Sequence, residues 1–296
     1  MAAKIIDGKQ IAADMQAELK EEVAKLKERG IVPGLGVILV GQDPASKSYV
    51  TAKEQACEEI GIYSDDNRLP AETSQEDLMA LVERMNKDPK INGILVQLPL
   101  PKGLNEAEVL LAIDPDKDVD GFHPMNVGKM VVGEEAYLPC TPHGVIQLLL
   151  RSGVKIEGAH IVIVGRSNIV GKPLANMLIQ KNAKGNATVT VCHTRTKDLA
   201  KHTRQADIVI AAAGRPNTIT ADIIKEGVVV IDVGVNRVED ATKKKGYRLV
   251  GDVDFEAVKE KASLITPVPG GVGPMTITML LYNTVESAKR AAGLIT

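Results

Sequence analysis

The chain is punctuated by short aliphatic runs, most of them stopped by glycine or proline and alternating with stretches of helical periodicity. Leu35 to Val40 ends at Gly41, Gly93 to Leu98 is closed by Pro99 and Pro101, and His160 to Val164 ends at Gly165. Thr188 to Val191, Ile208 to Ala213 and Val228 to Val233 follow. Runs this short between such breakers are strands, and a strand apolar on both faces must be covered on both faces. Their alternation with helices predicts an α/β fold with largely parallel sheets. Aromatic residues make up only 2% of the chain and Trp is absent, so the core is built from Ile, Val, Leu, Met and Ala.

The helical stretches carry their own start and stop signals. Asp7-Gly8 opens one in which Ile11, Met15, Leu19, Val23 and Leu26 share a face, and Gly30 stops it. Asp43-Pro44 reads as an N-cap followed by proline at the first helical position, with the helix running through Tyr49 and Lys53 to Ile60 and stopping at Gly61. Thr73 and Glu76 have capping-box spacing ahead of the stripe Leu78, Leu81, Val82 and Met85. Further helices are expected from Thr141-Pro142, Pro173 and Pro274. At 296 residues and roughly 150 residues per domain, two domains are expected. The polar, acid-rich stretch Asp114 to Pro124 is a candidate junction.

Composition excludes several classes of function. The net charge is −2, which leaves no basic excess for a nucleic-acid backbone. The one basic run, Lys243-Lys244-Lys245, reads as a solvated loop. Cys57, Cys140 and Cys192 are odd in number and far apart, which argues against a disulfide framework and shows no metal-ligand spacing. No signal peptide is visible at Met1 to Gln10, and no apolar run approaches the ~20 residues that a membrane span needs. A cytoplasmic protein without nucleic-acid, membrane or metal partners is expected.

Two groups of residues point to chemistry. The strand His160 to Val164 runs into Gly165-Arg166-Ser167 and on through Val170-Gly171 to a helix start at Pro173. Glycines let a backbone approach a pyrophosphate, and a helix N-terminus offers unpaired N–H groups and the positive end of its dipole. An ordinary strand-to-helix turn is the plainer reading. The following strand ends Val191-Cys192-His193-Thr194-Arg195 with no acid to bond a ribose 2′-hydroxyl. A cationic end suits a 2′-phosphate, with Arg166 as a second contact, so NADP is expected over NAD.

The second group begins with Tyr49 and Lys53, four apart on one helix face, where an exposed tyrosine beside a solvated lysine is the plainer reading. Gln97 stands in an otherwise apolar strand near its carboxyl end. It is either a satisfied core amide or a cleft residue, and the position favours the cleft. Asp118-Val119-Asp120-Gly121 pairs two acids in a tight turn, where calcium binding or a solvent-facing turn is the plainer reading and the oxygen ligands are too few for calcium. Pro269-Gly270-Gly271-Val272-Gly273-Pro274 could close over a planar ligand or merely connect two elements. None of the five histidines sits in a zinc or nucleophile–base arrangement, and none is assigned a catalytic role.

Together Ser48-Tyr49-Val50 with Lys53, Gly93 through Pro101, Asp118-Val119-Asp120-Gly121, Pro139-Cys140-Thr141-Pro142, Gly165-Arg166-Ser167 through Val170-Gly171, and Thr266 through Thr276 resemble the methylenetetrahydrofolate dehydrogenase/cyclohydrolase family, across nearly the whole chain. That resemblance implies two α/β domains with a cleft between them: a catalytic folate-binding domain, residues 1–138, rejoined by a terminal helix, 274–296, and a Rossmann-like NADP domain, 139–273. It implies Lys53 as the central catalytic group, Tyr49 as its neighbour near the folate, Gln97 as its hydrogen-bonding partner and Asp120 as the pterin anchor. Leu98, Pro269, Gly270 and Gly273 complete the implied substrate set. Gly165, Arg166, Ser167, Thr190, Thr194, Arg195 and Ile231 form the implied NADP set. A homodimer is implied as well. The competing expectations are a family member that keeps only the dehydrogenase, another NADP dehydrogenase acting on a shikimate-like hydroxy acid, and a non-catalytic NADP sensor.

Overall fold

A computed structural model describes residues 2–243 and 246–295, so Lys244 and Lys245 of the expected lysine loop lie outside the described residues. The backbone divides into two compact units, one of Met1–Ala13 with Thr141–Thr276 and one of Asp14–Cys140 with Ile277–Thr296. This differs from the expected division in one respect. The first residues belong with the later unit, because Lys4–Ile5 forms a strand paired in parallel with Leu264–Ile265. The acid-rich stretch 114–124 is not a junction, since it lies wholly inside the second of these units.

The unit of Asp14–Cys140 is built on a three-stranded parallel sheet in the order Tyr63–Leu69, Gly34–Val40, Gly93–Val96. Every residue of the central strand is buried. Against it pack Leu78, Val82 and Met85 of the helix Gln75–Lys87, together with Ile94, Ile91 and Val109. The edge strand Tyr63–Leu69 was not foreseen, because its sequence YSDDNRL is polar and only half-buried. The start of Gln75–Lys87 also differs: Ser74, not Thr73, is the cap, its Oγ accepting the Asp77 N–H at 3.0 Å, while the Thr73 hydroxyl donates to the Pro70 carbonyl. The strand Gly93–Val96 ends sooner than the apolar run suggests, although the Gln97 N–H still donates to the Ile38 carbonyl at 2.9 Å.

The other unit carries a six-stranded, wholly parallel sheet in the order Lys4–Ile5, Leu264–Ile265, Val229–Asp232, Ile208–Ala211, His160–Val164, Thr188–Cys192. The next two strands in the chain after His160–Val164, namely Thr188–Cys192 and Ile208–Ala211, lie on opposite sides of it. The sheet therefore has a topological switch point between that strand and Ile208–Ala211, where open α/β sheets take ligands at their carboxyl ends. An antiparallel hairpin, Asn236–Glu239 with Tyr247–Val250, is added outside this sheet. Among the described residues no helix is long and apolar enough to cross a membrane.

Candidate active site

The helix Pro44–Ile60 is fixed at both ends. The Asp43 carboxylate accepts the Ser46 N–H at 2.8 Å, and Gly61 closes the helix at φ +85° with its N–H on the Cys57 carbonyl. That rotation buries Ser46, Val50, Lys53, Cys57 and Ile60 along one face. Lys53 is thus only 8% exposed, while Tyr49, one turn earlier, is 46% exposed. A lysine so buried must find a partner. Its Nζ donates to Gln97 Oε1 at 3.1 Å, and Gln97 Nε2 donates to the Leu98 carbonyl at 2.8 Å. With its nitrogen committed to the backbone, the amide presents its oxygen to the amine.

The turn carrying Asp120 is built by its neighbours. Asp118 is buried, and its carboxylate accepts the N–H of Phe122 at 3.1 Å, the N–H of His123 at 2.8 Å and Asn126 Nδ2 at 2.9 Å. Burial outweighs these donors and pushes the Asp118 carboxyl up to about 6. Gly121 adopts φ +71°, and a Cβ there would lie 2.7 Å from the Leu138 and Tyr137 carbonyl groups, so no other residue fits this turn. Burial raises the Asp120 carboxyl, while the Lys53 charge and the Cys140 thiol pull it back down. Burial lowers the Lys53 ammonium, opposed chiefly by Asp120. Lys53, Gln97, Leu98 and Asp120 are brought together in one unit, with Tyr49 one helical turn away. Burial drives the amine and the carboxylate toward their neutral forms, and the charge of each draws the other back.

In the six-stranded unit Val164, Cys192, Ala211 and Asp232 lie in register, so four strand ends form one edge. Gly165 turns the chain away at φ +144°, where a Cβ would lie 2.0 Å from the Ala212 carbonyl oxygen. Gly171 is equally confined by the Gly165 carbonyl oxygen at 2.2 Å. Between them Arg166 and Ser167 are exposed, and Ser167 Oγ accepts the Val170 N–H. The helix Gly171–Ile179 that follows has no side-chain cap on its first N–H groups. Thr194 and Arg195 project from the end of the adjoining strand. Thr190 sits two residues short of that end with Oγ1 3.0 Å from His160 Nε2, and Ile231 is fully buried, leaving its backbone as what it can offer. Pro269, Gly270 and Gly273 also belong to this unit, with Gly270 at φ +106° against the Lys9 side chain.

Two carboxylates missed in the sequence hold this edge. Asp232 accepts the N–H groups of Gly234, Asp252 and Val253 at 2.9–3.0 Å. Asp252 accepts those of Ala213 and Gly214 at 2.6 and 2.8 Å. Burial pushes Asp232 up to about 6. Gly234 and Gly251 are the signal that could have revealed them, since a Cβ at either would strike one of these carboxylates.

A parallel sheet turned by glycine at its switch point, in a chain that also buries a lysine against an amide and a carboxylate, defines a two-domain enzyme of the dinucleotide-binding α/β class. Sequence comparison narrows it. Residues 6–120 match the tetrahydrofolate dehydrogenase/cyclohydrolase catalytic domain, and residues 139–292 match the NAD(P)-binding domain of the same family. The bifunctional protein FolD of Syntrophus aciditrophicus is 60% identical over 294 residues, covering 99% of this chain and 100% of its own. The crystal structure of the bifunctional FolD methylenetetrahydrofolate dehydrogenase/cyclohydrolase of Campylobacter jejuni superimposes with a TM-score of 0.91 at 52% identity, covering 98% of this chain and 99% of that one. That of the Trypanosoma brucei enzyme, complexed with NADP cofactor and inhibitor, gives 0.93 at 43% identity, covering 99% of each chain. The chain belongs to the tetrahydrofolate dehydrogenase/cyclohydrolase family.

Proposed function

We propose that this chain oxidises 5,10-methylenetetrahydrofolate to 5,10-methenyltetrahydrofolate with NADP and then hydrolyses the product to 10-formyltetrahydrofolate. The observation that carries this reading is the buried Lys53–Gln97 contact beside Asp120, in the unit that matches the family's catalytic domain. The carboxylate of Asp120 accepts two parallel hydrogen bonds from the pterin ring N–H and amino group, fixing the ring. Tyr49, exposed one turn before Lys53, offers a ring face to the folate, and Leu98 an apolar edge. Lys53 moves the proton as water adds to the cationic methenyl carbon, and a cationic ligand lowers its pKa further in the direction burial already drives it. Gln97 aims the amine without adding charge.

The edge of the six-stranded sheet fits a dinucleotide. Gly165 brings the backbone where a side chain would block it, and Gly171 offers its backbone N–H at the helix start to a pyrophosphate. Arg166, Ser167, Thr194 and Arg195 suit a 2′-phosphate, the backbone near Thr190 and Ile231 the remainder of the nucleotide, and Pro269, Gly270 and Gly273 a cover over the ligand. When bound, NADP supplies the acceptor for the electron pair lost by the folate's methylene carbon. A cytoplasmic homodimer belongs to the same reading, with light scattering at twice the 31.6 kDa chain mass as its check.

The test is a direct assay with methylenetetrahydrofolate and either NADP or NAD, following methenyl formation and its decay. Product formed and then hydrolysed with NADP supports the proposal, and methenyl that accumulates without enzymatic decay removes the second activity. Arg166→Ala should weaken NADP by about tenfold or more, the worth of a charge-assisted contact, and NAD far less. Equal losses for both cofactors would remove Arg166 from 2′-phosphate recognition.

A further inference from the structure

The strand Thr188–Cys192 runs out into a turn held by two side chains that the proposed chemistry leaves unused. The Thr196 N–H donates to the His193 carbonyl at 2.8 Å, which closes a β-turn with Thr194 and Arg195 at its centre. Two further bonds brace it. The His193 N–H donates to Thr196 Oγ1 at 2.9 Å, and the Arg195 N–H donates to His193 Nδ1 at 3.1 Å. The imidazole thus acts as an asparagine carboxamide does in an Asx-turn, accepting the N–H two residues on. A backbone N–H can only donate, so Nδ1 carries no proton here and the ring proton sits on Nε2.

This turn lies beside the glycine-bearing loop. The Gly165 N–H donates to the Cys192 carbonyl at 2.9 Å, and Val164 pairs in register with Cys192. Thr194 and Arg195 are both exposed there. An exposed arginine gives up conformational freedom when it binds an anion, and a backbone fixed beforehand leaves less to give up. We propose that His193 and Thr196 are positioning residues for cofactor choice: they hold Thr194 and Arg195 in the arrangement that receives a 2′-phosphate, His193 doing so through its unprotonated Nδ1. This rests on the reading of Thr194 and Arg195 as 2′-phosphate contacts. NAD carries only a hydroxyl at that place, so the brace serves NADP and leaves NAD untouched.

The test is the Kd of the full chain for NADP and for NAD, each measured by titration calorimetry. His193→Ala, which removes the acceptor, should raise the NADP Kd by about tenfold and hold the NAD Kd within about twofold, the unchanged NAD binding reporting that the variant is folded. His193→Asn, whose Oδ1 can accept the same N–H, should bring the NADP Kd back to within about threefold of the starting protein. Thr196→Val should raise the NADP Kd by about threefold, again without NAD. In the Arg195→Ala background His193→Ala should add less than about threefold, the share left to Thr194, because both act through one contact. Equal losses for the two cofactors in His193→Ala, equal NADP values for the Ala and Asn variants, or effects at 193 and 195 that add in full would overturn the proposal. Arg195→Ala alone distinguishes the two readings. If it leaves the NADP Kd unchanged, Arg195 is no 2′-phosphate contact, whereas a raised Kd there with none in His193→Ala defeats only the positioning inference.

Discussion

Lys53 sits where two demands oppose each other. Its burial costs stability, because an ammonium withdrawn from water must be repaid by partners, and it has Gln97 and Asp120 within reach. Methionine matches the length of its apolar stem and carries no charge to desolvate. Lys53→Met should therefore reduce cyclohydrolase turnover by about 10²- to 10⁴-fold, the range of a lost acid–base group, while the melting temperature holds or rises. Turnover within a few-fold of the starting enzyme would refute the assigned role. A fall in both activity and melting temperature would instead make Lys53 a structural partner of Asp120. Asp118 illustrates the opposite economy: its carboxylate touches no substrate in this reading, yet its three donors shape the turn that carries Asp120.

At the scale of elements, the helix Cys140–Arg151 buries His143 to 5% exposure, and burial, with Lys184 adding to it, lowers its imidazole to about 4. A histidine depressed from 6.5 in the fold contributes stability that is complete above pH 6.5 and is lost as pH falls toward 4. Asp118 and Asp232, raised to about 6, act in the other direction: their share is complete below pH 3.8 and is lost as pH rises through 6. The net profile mixes these, so the difference between the native chain and His143→Gln isolates the histidine. Between pH 7.5 and 4.5 that difference should move by about 2–3 kcal/mol in favour of the variant, or about 5–10 °C in melting temperature. A difference that does not change with pH would mean that His143 titrates normally. Which elements could be foreseen follows from the same physics. Central strands such as Gly34–Val40 and His160–Val164 are buried on both faces and advertise themselves as apolar runs, as do helices with a cap and a glycine stop. Tyr63–Leu69 and the hairpin Asn236–Glu239 with Tyr247–Val250 are half-exposed and interrupted by polar or charged residues, and carry no such signature. Lys53, Gln97 and Asp120 could be picked out because a lysine, an amide and an acid are conspicuous beside apolar runs or in a glycine turn. Asp232 and Asp252 could not, because their partners are backbone groups tens of residues away.

For the whole molecule, the decisive feature is that neither unit is a continuous stretch of chain. The first thirteen residues complete the six-stranded sheet, and the last twenty complete the three-stranded unit. In that final stretch Met279, Leu280, Leu281, Val285 and Ala288 are buried. The Ser287 hydroxyl donates to the Asn92 carbonyl at 2.6 Å, and Lys289 pairs with Glu22 at 2.8 Å. Four large apolar side chains at about 1.5–3 kcal/mol each amount to as much as a typical domain's entire stability, about 5–15 kcal/mol. A chain ending at Thr276 should consequently lose the three-stranded unit altogether. The six-stranded unit keeps its own sheet and its own core around Val162, Val209, Val230 and Ile265. Hydrogen exchange reads the two separately. The truncated chain should exchange amides of Gly34–Val40 as an unfolded segment does, retain protection in His160–Val164 and Ile208–Ala211, and still be stabilised by NADP, with both folate activities abolished. Protection of Gly34–Val40 that survives the truncation would show that residues 14–140 hold together by themselves. The terminal helix would then be a docked accessory, and the energetic link between the chain's last residues and its buried lysine would be lost with it.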